Sequence, residues 1–244
     1  MNRKNQITEN LAIFARTPME RFRCETFWTK EPETLEWIKG FRSDGVFFDV
    51  GANIGIYSLF AASIHPRMKI YAVEPLKPNY QSIKDNIQLN GFDQIIPLNI
   101  AVSDAEGEVP FHILSDDPGS SGSQIEEPVA ESGESFMPIE KERVHCTTVD
   151  RLCDRFNVFC DYLKIDIDGR EWQVLQGAEK ALQTSIKSVL VELNPRQVSL
   201  DAVHDWMGGK GFELDETLQS LPNHSNHRRD PKGPLNFIYV KLSE

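Results

Sequence analysis

The chain has 244 residues, with 26 lysines and arginines against 37 aspartates and glutamates, a formal charge of −11 at neutral pH. That balance argues against a nucleic-acid protein held by counterion release, which needs a basic face. At 40% hydrophobic and 26% charged residues the chain also lies far from disordered composition, and its length admits one large α/β domain or two small ones at about 100–200 residues each.

In chain order, residues 1–44 carry Phe14, Phe22, Phe27, Trp28 and Trp37 with helical spacing over 33–39, and read as an N-terminal cap on a main domain at 45–244. Arg3 and Lys4 precede an apolar run covering only 11–15, too short for a signal-peptide core or a membrane span. The expectation is a cytoplasmic protein. Apolar runs then alternate with amphipathic stretches: strands at 46–50, 68–73 and 95–102, with helices at 54–64 and 75–90 between them. Further on come a strand at 162–166, a helix at 170–183, a strand at 188–193, a helix at 200–208, and strands at 212–214 and 235–241. Continuous rather than alternating apolar strands predict a mostly parallel sheet covered by helices on both faces.

The segment 104–149 breaks this rhythm, with strand candidates at 109–114 and 143–148 joined by an acidic Gly/Ser/Pro-rich loop. Between 115 and 144 the acids Asp116, Asp117, Glu126, Glu127, Glu131, Glu134, Glu140 and Glu142 face only Lys141 and Arg143, so this stretch holds −6 of the −11. A loop of that length inside a compact domain is usually functional or disordered; a mobile lid or acceptor-selecting loop is expected. Of the four cysteines, Cys146, Cys153 and Cys160 recur every seven residues with His145 beside the first, but lack the close pairs of zinc sites and read as reduced thiols.

In a doubly wound sheet, ligands bind beyond the carboxyl ends of the strands. Asp49, Gly51, Asn53 and Gly55 follow the first core strand, Glu74 the second, Ser103 and Asp104 the third, Asp166 the fourth, and Glu192 with Asn194 the fifth. The glycines suit a tight turn and a close approach to a ligand, but Asn53 stands where a dinucleotide fingerprint needs its second glycine. This disfavours an NAD-dependent oxidoreductase. Glu74 is placed to accept from both hydroxyls of a ribose, Asp104 from an exocyclic amino group, and Asp49 suits a ligand bearing positive charge. Together they describe a site for S-adenosylmethionine. Each has a structural alternative as a helix-terminal or turn acid, and a cofactor-binding module without turnover is the rival from another class.

The blocks from Phe47 to Gly55, Val73-Glu74-Pro75, Ala101 to Asp104, Thr148-Val149-Asp150, and Leu163 to Gly169 with Glu171 and Gly177-Ala178 resemble the FkbM family of S-adenosylmethionine-dependent methyltransferases over about residues 46–194. The resemblance implies a Rossmann-like class I fold, with a seven-stranded sheet whose last strand is antiparallel. It also implies O-methylation of a small-molecule or glycan hydroxyl on a sugar, glycolipid, polyketide or peptide, the fucose of a lipo-chitooligosaccharide being one such acceptor. Asp168 stands where members commonly have Glu, and Arg170 replaces a small residue, which bears on the acceptor pocket.

Methyl transfer from a sulfonium is an in-line displacement, and an alcohol acceptor must also lose its proton. One route is a general base, for which Asp166, Glu192, His145 or a loop histidine such as His224 or His227 qualifies. The other is a divalent cation such as Mg²⁺ on Asp166, Glu192 and Asn194. The loop 223–229 offers His224 and Arg228 or Arg229 to a polyhydroxylated or anionic acceptor. Asp168 and Glu171 have the spacing of a capping box for the helix that follows. The oligomeric state is left open by the sequence.

Overall fold

The computed structural model describes residues 4–130 and 132–242. Its elements, in chain order, begin with a hairpin, β1 (Lys4–Thr8) and β2 (Leu11–Phe14), followed by the short helices α1 (Pro18–Glu25) and α2 (Pro32–Lys39). The alternating core then runs β3 (Val46–Val50), α3 (Ile56–Ile64), β4 (Lys69–Val73), α4 (Lys77–Asn90) and β5 (Ile95–Leu98). An excursion follows through β6 (Ala101–Val102), β7 (Gly107–Ile113), β8 (Gln124–Ile125) and β9 (Glu140–Thr147). The chain returns through α5 (Val149–Phe156), β10 (Tyr162–Ile165), α6 (Glu171–Gln176), α7 (Glu179–Thr184), β11 (Ser188–Leu193), α8 (Leu200–Gly209), β12 (Phe212–Leu214), α9 (Glu216–Gln219), a 3₁₀ turn at Ser225–Arg228, and β13 (Leu235–Lys241).

Seven strands form the central sheet in the order β12-β13-β11-β10-β3-β4-β5. β3, β4, β5, β10 and β11 pair in parallel, and β13 runs antiparallel to β11 and β12. The order reverses between β3 and β10, so their carboxyl ends flank the crevice where ligands bind in such sheets. Alternate residues feed opposite layers. Phe47, Ile70, Ala72 and Leu190 pack with α2 and α3 through Trp37, Leu59 and Phe60, whereas Phe48, Val50, Tyr71, Leu163 and Ile165 pack with α5 to α8 through Leu152, Val174, Leu182 and Met207. Strands buried on both faces require this continuous apolar character.

The N-terminal cap is built into the first of these layers. Phe41 stacks on Tyr162 with ring centroids 3.8 Å apart, Trp37 Nε1 donates to Ser188 Oγ at 2.8 Å, and the Asn90 side chain pairs with both backbone groups of Ala12.

Two expected elements are divided. The strand expected at 95–102 splits into β5, in the central sheet, and β6, which pairs with β9 in a second, four-stranded sheet ordered β6-β9-β7-β8. The break falls beside Asn99, whose amide donates to the carbonyls of Glu74 and Pro75. The helix expected at 170–183 is interrupted at Gly177-Ala178, where the chain passes so close to Ser103 that a Cβ on Gly177 would sit 2.1 Å from the Ser103 carbonyl oxygen. Among the described residues no helix is long and apolar enough to cross a membrane.

Candidate active site

A cavity of about 460 Å³ opens at the carboxyl ends of β3, β4, β10 and β11. Its floor is the turn after β3. Gly51 there has φ +81°, and a Cβ on it would lie 1.8 Å from the Asp166 carbonyl oxygen; only glycine lets the first and fourth strand ends approach so closely. Asn53, at φ +53°, donates its amide to Glu74 Oε2 at 2.9 Å, while the Leu76 amide donates to Glu74 Oε1 at 2.9 Å. Burial pushes the Glu74 carboxyl up to about 8 despite these two donors. Beside the floor lies a narrow apolar slot of about 40 Å³, walled by Val50, Val73, Val102, Ile125 and Ile167.

The opposite wall carries charge. Lys164, buried at 1% exposure, stands two residues before Asp166 on the same side of β10 and donates to Asp166 Oδ2 at 2.8 Å. Burial alone would raise the Asp166 carboxyl, but the charges of Lys164, Lys30 and Arg229 outweigh it and hold the group well below the usual carboxylate range. Glu192 goes the other way: burial first, then the Asp166 charge, push it well above the ordinary glutamate range against the pull of Arg229. Arg229 pairs with Glu192 and, at 3.3 Å, with the buried Glu31. Glu31 also accepts from Lys30 at 2.7 Å and from the Tyr57 hydroxyl at 2.9 Å. Two cations and a phenol thus share one carboxylate, joining the cap, α3 and the segment before β13 across the cavity.

The roof comes from the excursion between β5 and α5. Ser120 to Ser123 line the cavity. The Ser120 carbonyl accepts from Asn53 Nδ2 at 2.6 Å and Asn79 Nδ2 at 3.0 Å, and the Gly122 amide donates to Asp168 Oδ2 at 2.8 Å. The acids of the expected lid lie elsewhere: Asp116 and Asp117 are exposed, Glu126 pairs with Arg170 and Glu142 with Lys77. Glu131 falls outside the described residues. Neutral serines, not carboxylates, are what this loop presents to the cavity.

Of the residues expected from sequence, Gly51, Asn53, Glu74, Asp166 and Glu192 line the cavity together. Others stand apart. Asp49 is fully buried beneath the turn, its Oδ2 accepting from the Ser58 hydroxyl at 2.6 Å and from the Ser58 amide at 3.2 Å. Gly55 is the residue at the head of α3. Ser103 is buried beside an exposed Asp104, to which its hydroxyl donates at 3.1 Å. His145 lies half-exposed on β9 facing Glu108, too far into the second sheet to line the cavity. His224 is buried, its Nδ1 accepting from the Asn226 amide, and its neighbour His227 turns toward the Pro222 carbonyl. Arg228 grips the Thr29 and Lys30 carbonyls instead of facing the cavity; Arg229 is the arginine that faces it.

Asn194 accepts from the Arg196 amide at 3.0 Å, and a group of three carboxylates stands at the cavity. Oxygens of Asp166, Asp168 and Glu192 lie within 4.8 Å of one another. Two of the three already hold protein cations, Lys164 and Arg229. The expected capping box takes another form: Arg170 occupies the cap position without a side-chain capping bond, while Glu171 Oε1 accepts from the amides of Ile167 and Gly169 and fixes the turn before α6. Burial pushes its carboxyl up to about 7.

Sequence reasoning passed over Arg23, Lys30, Glu31, Asn79 and Lys164. Lys164 left a signal, a lysine inside an apolar strand two positions before its acid. The others lie outside the strand ends and carry no local mark.

A doubly wound sheet in this order, with an acid after its second strand and a charged cluster at the reversal, is the architecture of a Rossmann-like methyltransferase. Residues 49–214 match the family model for the methyltransferase FkbM domain, and the chain belongs to that family. It is 27% identical over 196 residues to 31-O-demethyl-FK506 methyltransferase FkbM of Streptomyces tacrolimicus, covering 71% of this chain and 74% of that one. It is 26% identical over 197 residues to methyltransferase sdnD of Sordaria araneosa, covering 70% and 75%. AMB antimetabolite synthetase AmbE of Pseudomonas aeruginosa matches at 28% identity over 214 residues, 73% of this chain but only 10% of that much longer protein. Among solved structures, methyltransferase FkbM from Methylobacillus flagellatus KT aligns at a TM-score of 0.58 and 14% identity over 91% of this chain and 52% of that one; the likeness concerns the fold.

Proposed function

We propose that this methyltransferase uses S-adenosylmethionine to methylate a hydroxyl group on a sugar, glycolipid or other secondary-metabolite acceptor. The observation that carries the reading is the pairing of Glu74, with both oxygens turned into the cavity wall at the end of β4, and the apolar slot beside it. A ribose set on Glu74 leads an adenine toward the apolar side chains that wall the slot, which must part to take it, and a sulfonium toward Asp166. The Lys164-held Asp166 stays ionised next to the positive sulfur, whereas Glu192, raised well above the ordinary glutamate range, takes the acceptor proton as the oxygen attacks the methyl group. A relative, hexuronic acid methyltransferase AglP of Haloferax volcanii, bears a name consistent with a hydroxylated, sugar-like acceptor.

The three carboxylate oxygens within 4.8 Å favour a second reading, a divalent cation on Asp166, Asp168 and Glu192. Such an ion would lower the acceptor pKa, but it must displace Lys164 and Arg229 from their partners. The test is transfer of labelled methyl from S-adenosylmethionine to fractionated glycolipid, polyketide and peptide acceptors, with and without chelator. Labelling that survives chelation supports Glu192 as the base. Labelling that disappears and returns with Mg²⁺ supports the metal, and no labelling of any fraction contradicts the enzymatic reading.

A further inference from the structure

Among the described residues, Arg23 is the cation of the cavity wall that pairs with no acid. Lys30, Lys164 and Arg229 each pair with a carboxylate. Arg23 lines the same cavity and engages the protein through Nε, which donates to the Gly119 carbonyl at 2.7 Å. Its two terminal nitrogens have no partner among the described residues. A half-buried guanidinium with its forked edge unengaged fits a planar carboxylate by two parallel hydrogen bonds.

Its position says which carboxylate. Gly119 precedes Ser120, whose carbonyl is held by Asn53 Nδ2, and the Asn53 amide is held in turn by Glu74. Arg23, Ser120, Asn53 and Glu74 therefore make one continuous side of the cavity. Glu192, Arg229 and Asp230 form a separate part of the wall contributed by β11 and the segment before β13. A nucleoside whose ribose rests on Glu74 carries its 5′ substituent away from the apolar slot, its sulfur toward Asp166 and its far end free to turn to Arg23 in the same cavity. In S-adenosylmethionine that substituent ends in an amino acid. We propose that Arg23, contributed by the N-terminal cap, is the residue that binds the cofactor's amino-acid carboxylate. The cap would then be part of the cofactor site. This inference rests on the cofactor reading above and adds to it the group that the cap recognises.

Titration of the full chain with S-adenosylhomocysteine and with 5′-methylthioadenosine, which shares the nucleoside but lacks the amino acid, separates the two claims. Wild-type protein should bind both and prefer S-adenosylhomocysteine. Arg23→Gln should lose about 10- to 100-fold for that ligand, the range of a charge-assisted hydrogen-bonded pair, and keep its affinity for 5′-methylthioadenosine; Arg23→Lys should recover part of the loss. Equal weakening of both ligands would make Arg23 a structural strut between α1 and Gly119 and overturn the proposal. So would unchanged S-adenosylhomocysteine affinity. If wild-type protein binds neither nucleoside, the cofactor reading itself fails, a result distinguishable from failure at Arg23.

Discussion

Two carboxylates at neighbouring strand ends diverge because of their partners. Asp166 stands over a buried lysine, and although burial disfavours both charges, their attraction and that of the neighbouring ions outweighs it, so the pair stays ionised. Glu192 is buried beside that negative charge, and its one strong partner, Arg229, is divided with Glu31. Glu192 is therefore the better proton acceptor and Asp166 the better fixed charge. Replacing Glu192 by Gln should lower kcat by about 10²- to 10⁴-fold, the usual weight of a general base. The sign of the pH dependence follows from the direction of the shift. A base works deprotonated, so the wild-type rate should climb with pH through a range above that of an ordinary glutamate, and the climb should vanish in the variant. A Glu192→Gln protein with an unchanged rate and profile would remove Glu192 from the reaction.

The turn after β3 shows how elements set the site. Gly51 lets β3 and β10 end within contact of each other, which is what brings Asn53 and Asp166 to one cavity. Gly51→Ala should shift the urea midpoint downward. A left-handed backbone costs about 1–2 kcal/mol for a residue with a Cβ, and intrusion on the Asp166 carbonyl adds about 1–3 kcal/mol of overpacking. Unchanged stability would mean that the strand ends are not as close as described. The alternating core was legible in the sequence because strands buried on both faces are apolar throughout and stop at glycine or an acid. The breaks were not. Residues 95–102 read as one strand since nothing local marks the Asn99 bonds to Glu74 and Pro75, and 170–183 read as one helix since the close approach of Gly177 to the Ser103 carbonyl joins residues far apart in sequence. In the site, the carboxylates at strand ends were legible by position. Arg23, Lys30 and Glu31 were not, because their meaning depends on contacts such as Arg229 with Glu31, 198 residues apart. The same distance explains why Arg228 and Arg229 were not told apart: adjacent arginines look alike until one is seen to hold the cap backbone and the other to face the cavity.

Across the whole molecule, the cavity is a joint product of three regions. The doubly wound sheet supplies the floor, the cap supplies Arg23, Lys30 and Glu31, and the excursion supplies a roof of serines. The net charge of −11 sits largely outside that assembly, in acids that are exposed or paired with Lys77 and Arg170. Those acids face solvent or surface salt bridges and do not line the cavity. The central claim is that the cavity takes an adenosine whose ribose rests on Glu74, and calorimetric titration with S-adenosylhomocysteine and NAD tests it most directly. Burial raises Glu74 to about 8 in the free protein, and the ionised form accepts from both ribose hydroxyls, so affinity for S-adenosylhomocysteine should rise as the pH is raised toward and through about 8. NAD should not compete, and Glu74→Ala should weaken binding about 10- to 100-fold and flatten the pH dependence. Preferential binding of NAD, or a Glu74→Ala protein that binds S-adenosylhomocysteine as tightly as wild type at every pH, would contradict it.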